Sequence, residues 1–282
     1  MRLPISEHFL SVQGEGILAG IPSFFLRLSG CNLRCTWCDT PHASWEPDGT
    51  VQSIDELVAP IERHIASGGL VRHCVVTGGE PLIFAHLPAL LARLRQLGMH
   101  ITIETAGTVT LAGLGKVAPN PAATGAAARA EAASPALVQL MSISPKLRNS
   151  TPWNDARDPD GTWAARHEAR RLNIPALASL LRGPWESQLK FVVSHERDLV
   201  EIEELLAALD GVLRRALGSV RDSSPDDSPV SSLDRSRVLL MPEGTHQTPP
   251  GSHAWLAKAC IERGFRYCHR VHIDLFGHVR GT

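Results

Sequence analysis

Short β-rich runs alternating with longer amphipathic stretches constrain this chain more than any other feature. Strands are predicted at Ser23–Ser29, His73–Thr77, His100–Glu104, Leu140–Ser144, Leu189–Val193, Val238–Met241 and Cys268–Ile273. Between them, Ser53–Ala66 carries Ile54, Leu57, Val58, Ile61 and Ile65 at helical spacing, behind a capping-box pattern of Ser53 and Glu56. His86–Leu97, followed by Gly98, and Glu196–Leu209 have the same helical pattern. Strands alternating with helices imply βα units around a parallel sheet. About seven strands with fewer helices suit an open or incomplete α/β barrel better than a closed eightfold barrel of ~250 residues.

Two segments break the rhythm. Pro119–Leu137 is nearly all Ala, Pro, Gly and Thr, and Gly218–Ser236 is rich in Ser, Asp and Pro. Neither has the periodicity of a buried element, so both are expected to be low-complexity surface insertions. For the first, an Ala-rich helix around Ala126–Ala133 is the alternative. With these set aside, residues 1–282 are short enough for a single domain.

Composition narrows the function classes. Apolar residues at 43% and charged residues at 20% suffice for a sizeable core. With 28 Lys+Arg against 29 Asp+Glu there is no basic field to grip a phosphate backbone, so no direct nucleic-acid partner is expected. No run approaches the ~20 apolar residues of a membrane span. Glu7 and His8 stand where a secretory leader needs apolar residues. The expectation is a soluble, cytoplasmic protein.

Cys31, Cys35 and Cys38 lie in GCNLRCTWCDT, just after the first strong strand. Three thiolates at C-x3-C-x2-C spacing can wrap one polynuclear centre, and thiolate is the ligand that iron–sulfur clusters and zinc select. Structural zinc is normally closed by four ligands, whereas three leave an open position of the kind catalysis uses. On a 4Fe–4S cluster, three cysteines would leave one iron free to chelate a small molecule. Two alternatives stand beside this: a zinc site with Asp39 or His42 as fourth ligand, or unrelated buried thiols. Cys74, Cys260 and Cys268 sit in apolar or strand contexts and are expected to be core residues.

Other residues suggest ligand contacts. Thr77-Gly-Gly-Glu-Pro81 follows a strand and precedes a helix; its glycines permit close backbone approach, and Glu80 can accept from an ammonium group. Ser144, Pro145 and Lys146 end another strand, although Lys146 could simply be a solvated loop lysine. Arg27 interrupts the apolar run FFLRLS, either facing solvent or aiming its guanidinium at a carboxylate.

The cysteine spacing, with Trp37 before the last cysteine, resembles the radical S-adenosylmethionine superfamily. In combination, E-x-F-x-S-x-Q-G-E-G, R-L-x-G-C-N-L-R-C-x-W-C-D-T, T-G-G-E-P and S-x-S-P-K resemble the 7-carboxy-7-deazaguanine synthase family within it. The resemblance runs from Glu7 to Lys146 and extends through LMPEG to His272.

It implies a single radical SAM domain with a modified partial barrel of (β/α)6 type, a homodimer, and an electron donor such as flavodoxin. It further implies Mg²⁺-dependent ring contraction of 6-carboxy-5,6,7,8-tetrahydropterin to 7-carboxy-7-deazaguanine, with release of ammonia, in queuosine-type deazapurine biosynthesis. In such an enzyme the cluster and S-adenosylmethionine generate a 5′-deoxyadenosyl radical.

By position, Cys31, Cys35 and Cys38 would hold the 4Fe–4S cluster and Thr40 would ligate Mg²⁺. Trp37, Cys38, Asp39, Gly79, Glu80, Ser144, Pro145 and Lys146 would bind S-adenosylmethionine. Val12, Gln13, Gly14, Glu15, Arg27, Thr77 and His272 would bind the pterin, with Arg27 on its carboxylate and Glu15 on its guanidine-like edge. In some members the chain ends soon after the histidine and its terminal carboxylate reaches the substrate; here it runs on from Phe276 to Thr282. The competing readings are a radical enzyme that activates a partner protein as a glycyl radical, and a non-catalytic zinc or iron–sulfur module.

Overall fold

The computed structural model describes residues 1–115, 136–218 and 233–282. Its strands are β1 (Arg2–Val12), β2 (Pro22–Leu28), β3 (Thr50–Ser53), β4 (His73–Gly78), β5 (His100–Thr105), β6 (Leu140–Ile143), β7 (Glu186–Val193), β8 (Val238–Pro242) and β9 (Arg266–Tyr267). They form one open sheet of nine strands in the order β3-β1-β2-β4-β5-β6-β7-β8-β9. From β2 to β9 every neighbouring pair is parallel. The antiparallel pairs β1·β2 and β1·β3 extend the β2 edge. This is the incomplete barrel expected from the alternation.

The helices are α1 (Ile54–Ala66), α2 (Leu87–Gln96), α3 (Thr162–Arg170), α4 (Ile174–Leu181), α5 (Asp198–Gly218), α6 (Ala254–Arg263) and α7 (Val271–Phe276). Among the described residues, no helix is long and apolar enough to cross a membrane. The capping box of α1 is complete: Ser53 Oγ accepts from the Glu56 N–H, and the Glu56 carboxylate accepts from the Ser53 N–H.

Period-two alternation sorts each strand into two faces. Leu26 and Leu28 of β2, Leu189, Phe191 and Val193 of β7, and Val238 and Leu240 of β8 enter the main core with Leu57, Leu91, Leu177 and Leu206 from the helices. The intervening residues Phe25, Arg27, Glu104, Lys190, Val192 and Met241 line one common cleft, so the sheet curves around it. The cleft therefore occupies the concave face, and the helices cover the convex one.

Four sequence expectations change in detail. Cys268–Ile273, expected as a strand, holds no strand residue: pairing with β8 covers only Arg266 and Tyr267 just before it, and Val271–Phe276 is helical. The Val271 N–H donates to Gly14 O at 2.9 Å, and this tertiary tie overrides the strand preference of Val271 and Ile273. The helix predicted at Glu196–Leu209 runs on to Gly218. Most of Pro119–Leu137, including the Ala126–Ala133 alternative, lies outside the described residues, but Ala136 and Leu137 are buried and belong to the approach to β6. Of Gly218–Ser236, residues 219–232 lie outside, while Leu233 packs against the core. Cys74, Cys260 and Cys268 are all buried, as expected.

Removing the Ser53 hydroxyl leaves the Glu56 N–H without its cap. Ser53→Ala should lower stability by about 1 kcal/mol, read as a shift of the urea midpoint at unchanged slope.

Candidate active site

The cleft is a cavity of about 190 Å³ that opens to solvent. Cys31, Cys35 and Cys38 line one wall, beyond the C-terminal end of β2. All three are free thiols. Burial pushes the Cys31 thiol up to about 12, and burial pushes Cys35 up as well. Such thiols stay protonated unless a metal's charge reverses the balance. Among the described residues, no three His, Cys, Asp or Glu side chains converge closely enough to hold one ion. Three thiols on a common wall are the kind of ligand set that iron–sulfur clusters take.

The cysteine loop is fastened at several points. The Leu33 N–H donates to Cys31 Sγ at 3.4 Å, and Ser44 Oγ lies 3.1 Å from Cys38 Sγ. Trp45 Nε1 donates to Cys35 O at 2.8 Å. The Arg34 N–H donates to His167 Nδ1 at 3.1 Å, while His167 Nε2 sits 2.9 Å from Ser150 Oγ. Ser150 Oγ already donates to Leu147 O, so His167 carries its proton on Nε2 and accepts through Nδ1. Burial, reinforced by Arg171, lowers His167 to about 4 and keeps it neutral, as that network requires.

Gly79 presses on this loop. A Cβ at Gly79 would lie 2.1 Å from Gly30 O and 2.6 Å from Ala43 O, so the two segments pack backbone to backbone only because no side chain intervenes. Gly79 lines the cleft. Glu80 does not reach it: its carboxylate is fully buried, accepting from Thr105 Oγ1 at 2.7 Å, the Ala106 N–H at 2.8 Å and the Leu82 N–H at 3.1 Å. Pro145 is buried behind the wall, whereas Ser144 and Lys146 line it. Lys146 Nζ donates to Ser144 Oγ at 3.0 Å and lies 5.4 Å from the Trp37 ring, so it is not a free solvated lysine. Asp39 and Thr40 present oxygen donors at the mouth, 3.3 Å apart.

The opposite wall is polar and tightly paired. Val12, Gln13, Gly14 and Glu15 line it together with Arg27 and His272. Glu15 forms a buried ion pair with Lys190. Burial alone would raise the Glu15 carboxyl, but the Lys190 ammonium, with His272 and Arg270 nearby, holds it well below the usual carboxylate range. Burial would lower Lys190, and Glu15 with Glu104 keeps it raised. Glu104 accepts from Thr77 Oγ1 at 2.8 Å and Gln13 Nε2 at 3.3 Å. Thr77 thus acts on the cleft through Glu104 and does not line it.

Arg27 faces the cleft, not solvent, and its Nε donates to Glu7 Oε1 at 2.5 Å. A Cβ at Gly14 would fall 1.8 Å from His272 Nδ1, so glycine there makes room for the histidine ring. The C-terminal stretch folds back over the mouth: Arg280 pairs with Glu7 and Asp48, His278 Nε2 bonds Asp39 O at 2.9 Å, and Thr282 lines the cleft.

Sequence inspection missed Glu104, Lys190 and Arg270, all of which line the cleft. Glu104 and Lys190 interrupt apolar strand runs, HITIET and LKFVV, just as Arg27 interrupts FFLRLS. That signal, applied throughout, finds two of the three.

Lys190→Met would leave Glu15 charged and buried without its partner, at a cost of ~3–5 kcal/mol near neutral pH. The sign with pH follows from the directions. Glu15 is depressed when folded, so its contribution is present above its ordinary value of 4.5 and fades as pH falls below it. Lys190 is raised above 10.5, so its share persists through neutral pH. Chemical denaturation across pH should therefore show the Lys190→Met deficit shrinking toward acid, where protonation removes the orphaned charge. A deficit independent of pH would refute the pairing.

The chain is similar to several known proteins. A model of the radical SAM superfamily matches residues 26–122. A 7-carboxy-7-deazaguanine synthase of Halobacterium salinarum is 40% identical, over 99% of this chain and 93% of its own length. One of Rhodopirellula baltica is also 40% identical, over 99% of this chain and 89% of its own. The crystal structure of QueE from Escherichia coli aligns with a TM-score of 0.56 at 26% identity, covering 95% of this chain and 93% of that one. The chain belongs to the 7-carboxy-7-deazaguanine synthase family of the radical SAM superfamily.

Proposed function

We propose that the protein converts 6-carboxy-5,6,7,8-tetrahydropterin to 7-carboxy-7-deazaguanine with release of ammonia, in a Mg²⁺-dependent ring contraction. The observation that carries this is one cleft joining the three cysteines to the paired charges of Glu15–Lys190 and Arg27–Glu7. Cys31, Cys35 and Cys38 would hold the 4Fe–4S cluster, which with S-adenosylmethionine supplies the one-electron cleavage that starts the reaction.

The chain's own side chains do the rest. Trp37, Asp39, Gly79, Ser144 and Lys146 would bind S-adenosylmethionine against the cysteine wall, with Glu80 and Pro145 supporting it from behind. Thr40 would ligate Mg²⁺ through its hydroxyl, a hard oxygen donor suited to that ion. Arg27 would take the pterin carboxylate, its guanidinium already oriented by Glu7. Lys190 keeps Glu15 ionised, the state that accepts N–H donors from a guanidine-like edge. Glu104, fixed by Thr77 and Gln13, offers a second acceptor, and Val12, Gly14 and His272 close the pocket around the ring. We read the chain as one radical SAM domain acting as a cytoplasmic homodimer, fed by a low-potential donor of flavodoxin type.

Anaerobic reconstitution should give about four irons per chain and a brown chromophore. With reductant, S-adenosylmethionine, the carboxy-tetrahydropterin and Mg²⁺, mass spectrometry should then find the deazapurine. Cleavage of S-adenosylmethionine without deazapurine would sink the substrate assignment; tight zinc and no cleavage would sink the radical reading. Arg27→Ala should weaken pterin binding by ~2–5 kcal/mol, and unchanged affinity would leave Arg27 a merely structural residue.

A further inference from the structure

Arg34 lies between the first two cysteines, and its side chain turns away from the cleft. It is buried, 8% exposed. Its Nη1 donates to Cys31 O at 2.9 Å and Leu33 O at 2.8 Å, both carbonyls of its own loop. The guanidinium lies 4.0 Å from the centre of the Trp163 ring. No carboxylate among the described residues pairs with it; Asp158 is committed to the Trp163 and Ala164 N–H groups at the start of α3.

A guanidinium is permanently charged, and burying such a group without an anion is unfavourable. The neighbouring aromatic face and two carbonyls supply only part of the compensation. Arg34 is close enough to Cys31, Cys38 and Cys35 to interact with charge on each. If those residues carry a cluster, three thiolates give it net negative charge, and the electron it accepts adds to that charge. A cluster held by these cysteines would give the orphan cation its anion.

We propose that Arg34 is the counter-charge of the iron–sulfur centre, stabilising its reduced form most, with Trp163 and His167 holding it in place. This rests on the reading that Cys31, Cys35 and Cys38 carry that centre. The step concerned is addition of one electron from an external low-potential donor, with no bond made or broken and no proton moved. Arg34 is a positioning residue, since it acts through the centre's charge and touches no substrate. The Trp163 ring shields the charge from solvent, which would otherwise screen it. The His167 bond to the Arg34 N–H fixes the loop over α3, so that the charge cannot swing outward.

The test compares the native chain with Arg34→Gln and Arg34→Lys after anaerobic reconstitution. Iron content, the paramagnetic resonance signal of the reduced centre and its midpoint potential are measured without S-adenosylmethionine or pterin. In Arg34→Gln the ratio of reduced to oxidised centre at a fixed potential should fall about tenfold, ~59 mV for a one-electron couple. Arg34→Lys, which retains the charge, should stay within about twofold of native.

Full loading with an unchanged potential in Arg34→Gln would overturn the assignment, and so would an equal fall in both variants, which would trace the effect to loop shape. If Arg34→Gln fails to load iron, loading of Arg34→Lys at native potential supports the charge, and failure of both overturns it. A native chain that takes up no iron overturns the cluster reading and this inference with it.

Discussion

Glu15 and Lys190 meet inside the curve of the sheet, where neither charge could be held alone. The pair joins the loop after β1 to the middle of β7 within the polar wall of the cleft. Around it the remaining polar groups find partners in turn: Gln13 and Thr77 on Glu104, and Glu7 on Arg27. The concave face is therefore a set of interlocked pairs whose geometry is fixed before any ligand arrives. Preorganised charges of this kind need little rearrangement when a polar substrate binds.

The cysteine wall is built differently. It is a loop, and its shape comes from backbone contacts with neighbours that offer no side chain or a neutral one. Gly79 lets the loop after β4 lie directly on Gly30, and neutral His167 ties the Arg34 N–H to α3. Glu80, buried beneath, fastens the end of β5 to the same region. One wall is thus governed by electrostatic pairing and the other by close packing. The cleft between them combines a wall of thiols with a wall of paired charges.

Much of this was legible in the sequence for identifiable reasons. The strands with strong apolar runs and the capped helix α1 are local signals, and they emerged with boundaries within a few residues. The cysteine spacing and Arg27 were visible because each departs from its surroundings. What stayed hidden depends on distant parts of the chain. Nothing local shows that Lys190 meets Glu15, or that Val271 is drawn into a helix start by Gly14. Glu80 looked like a ligand for an ammonium group, and its commitment to Thr105 and Ala106 appears only once β4 and β5 are side by side. Leu137 and Leu233 were absorbed into low-complexity stretches because composition averages over a window, whereas burial is decided residue by residue.

The alternation along β7 sets a rule for how such a pocket can change. Glu186–Val193 places Leu189, Phe191 and Val193 among the helices and Lys190 and Val192 toward the cleft. Two independent scripts are interleaved on one strand. A substitution at an inward position can change the lining of the cleft while the helix packing stands. Insertion of a single residue would exchange the scripts, driving Lys190 into the apolar layer and Phe191 into the pocket. New specificities on this scaffold should therefore arise by replacement within strands and by lengthening of loops, with strand length itself held fixed.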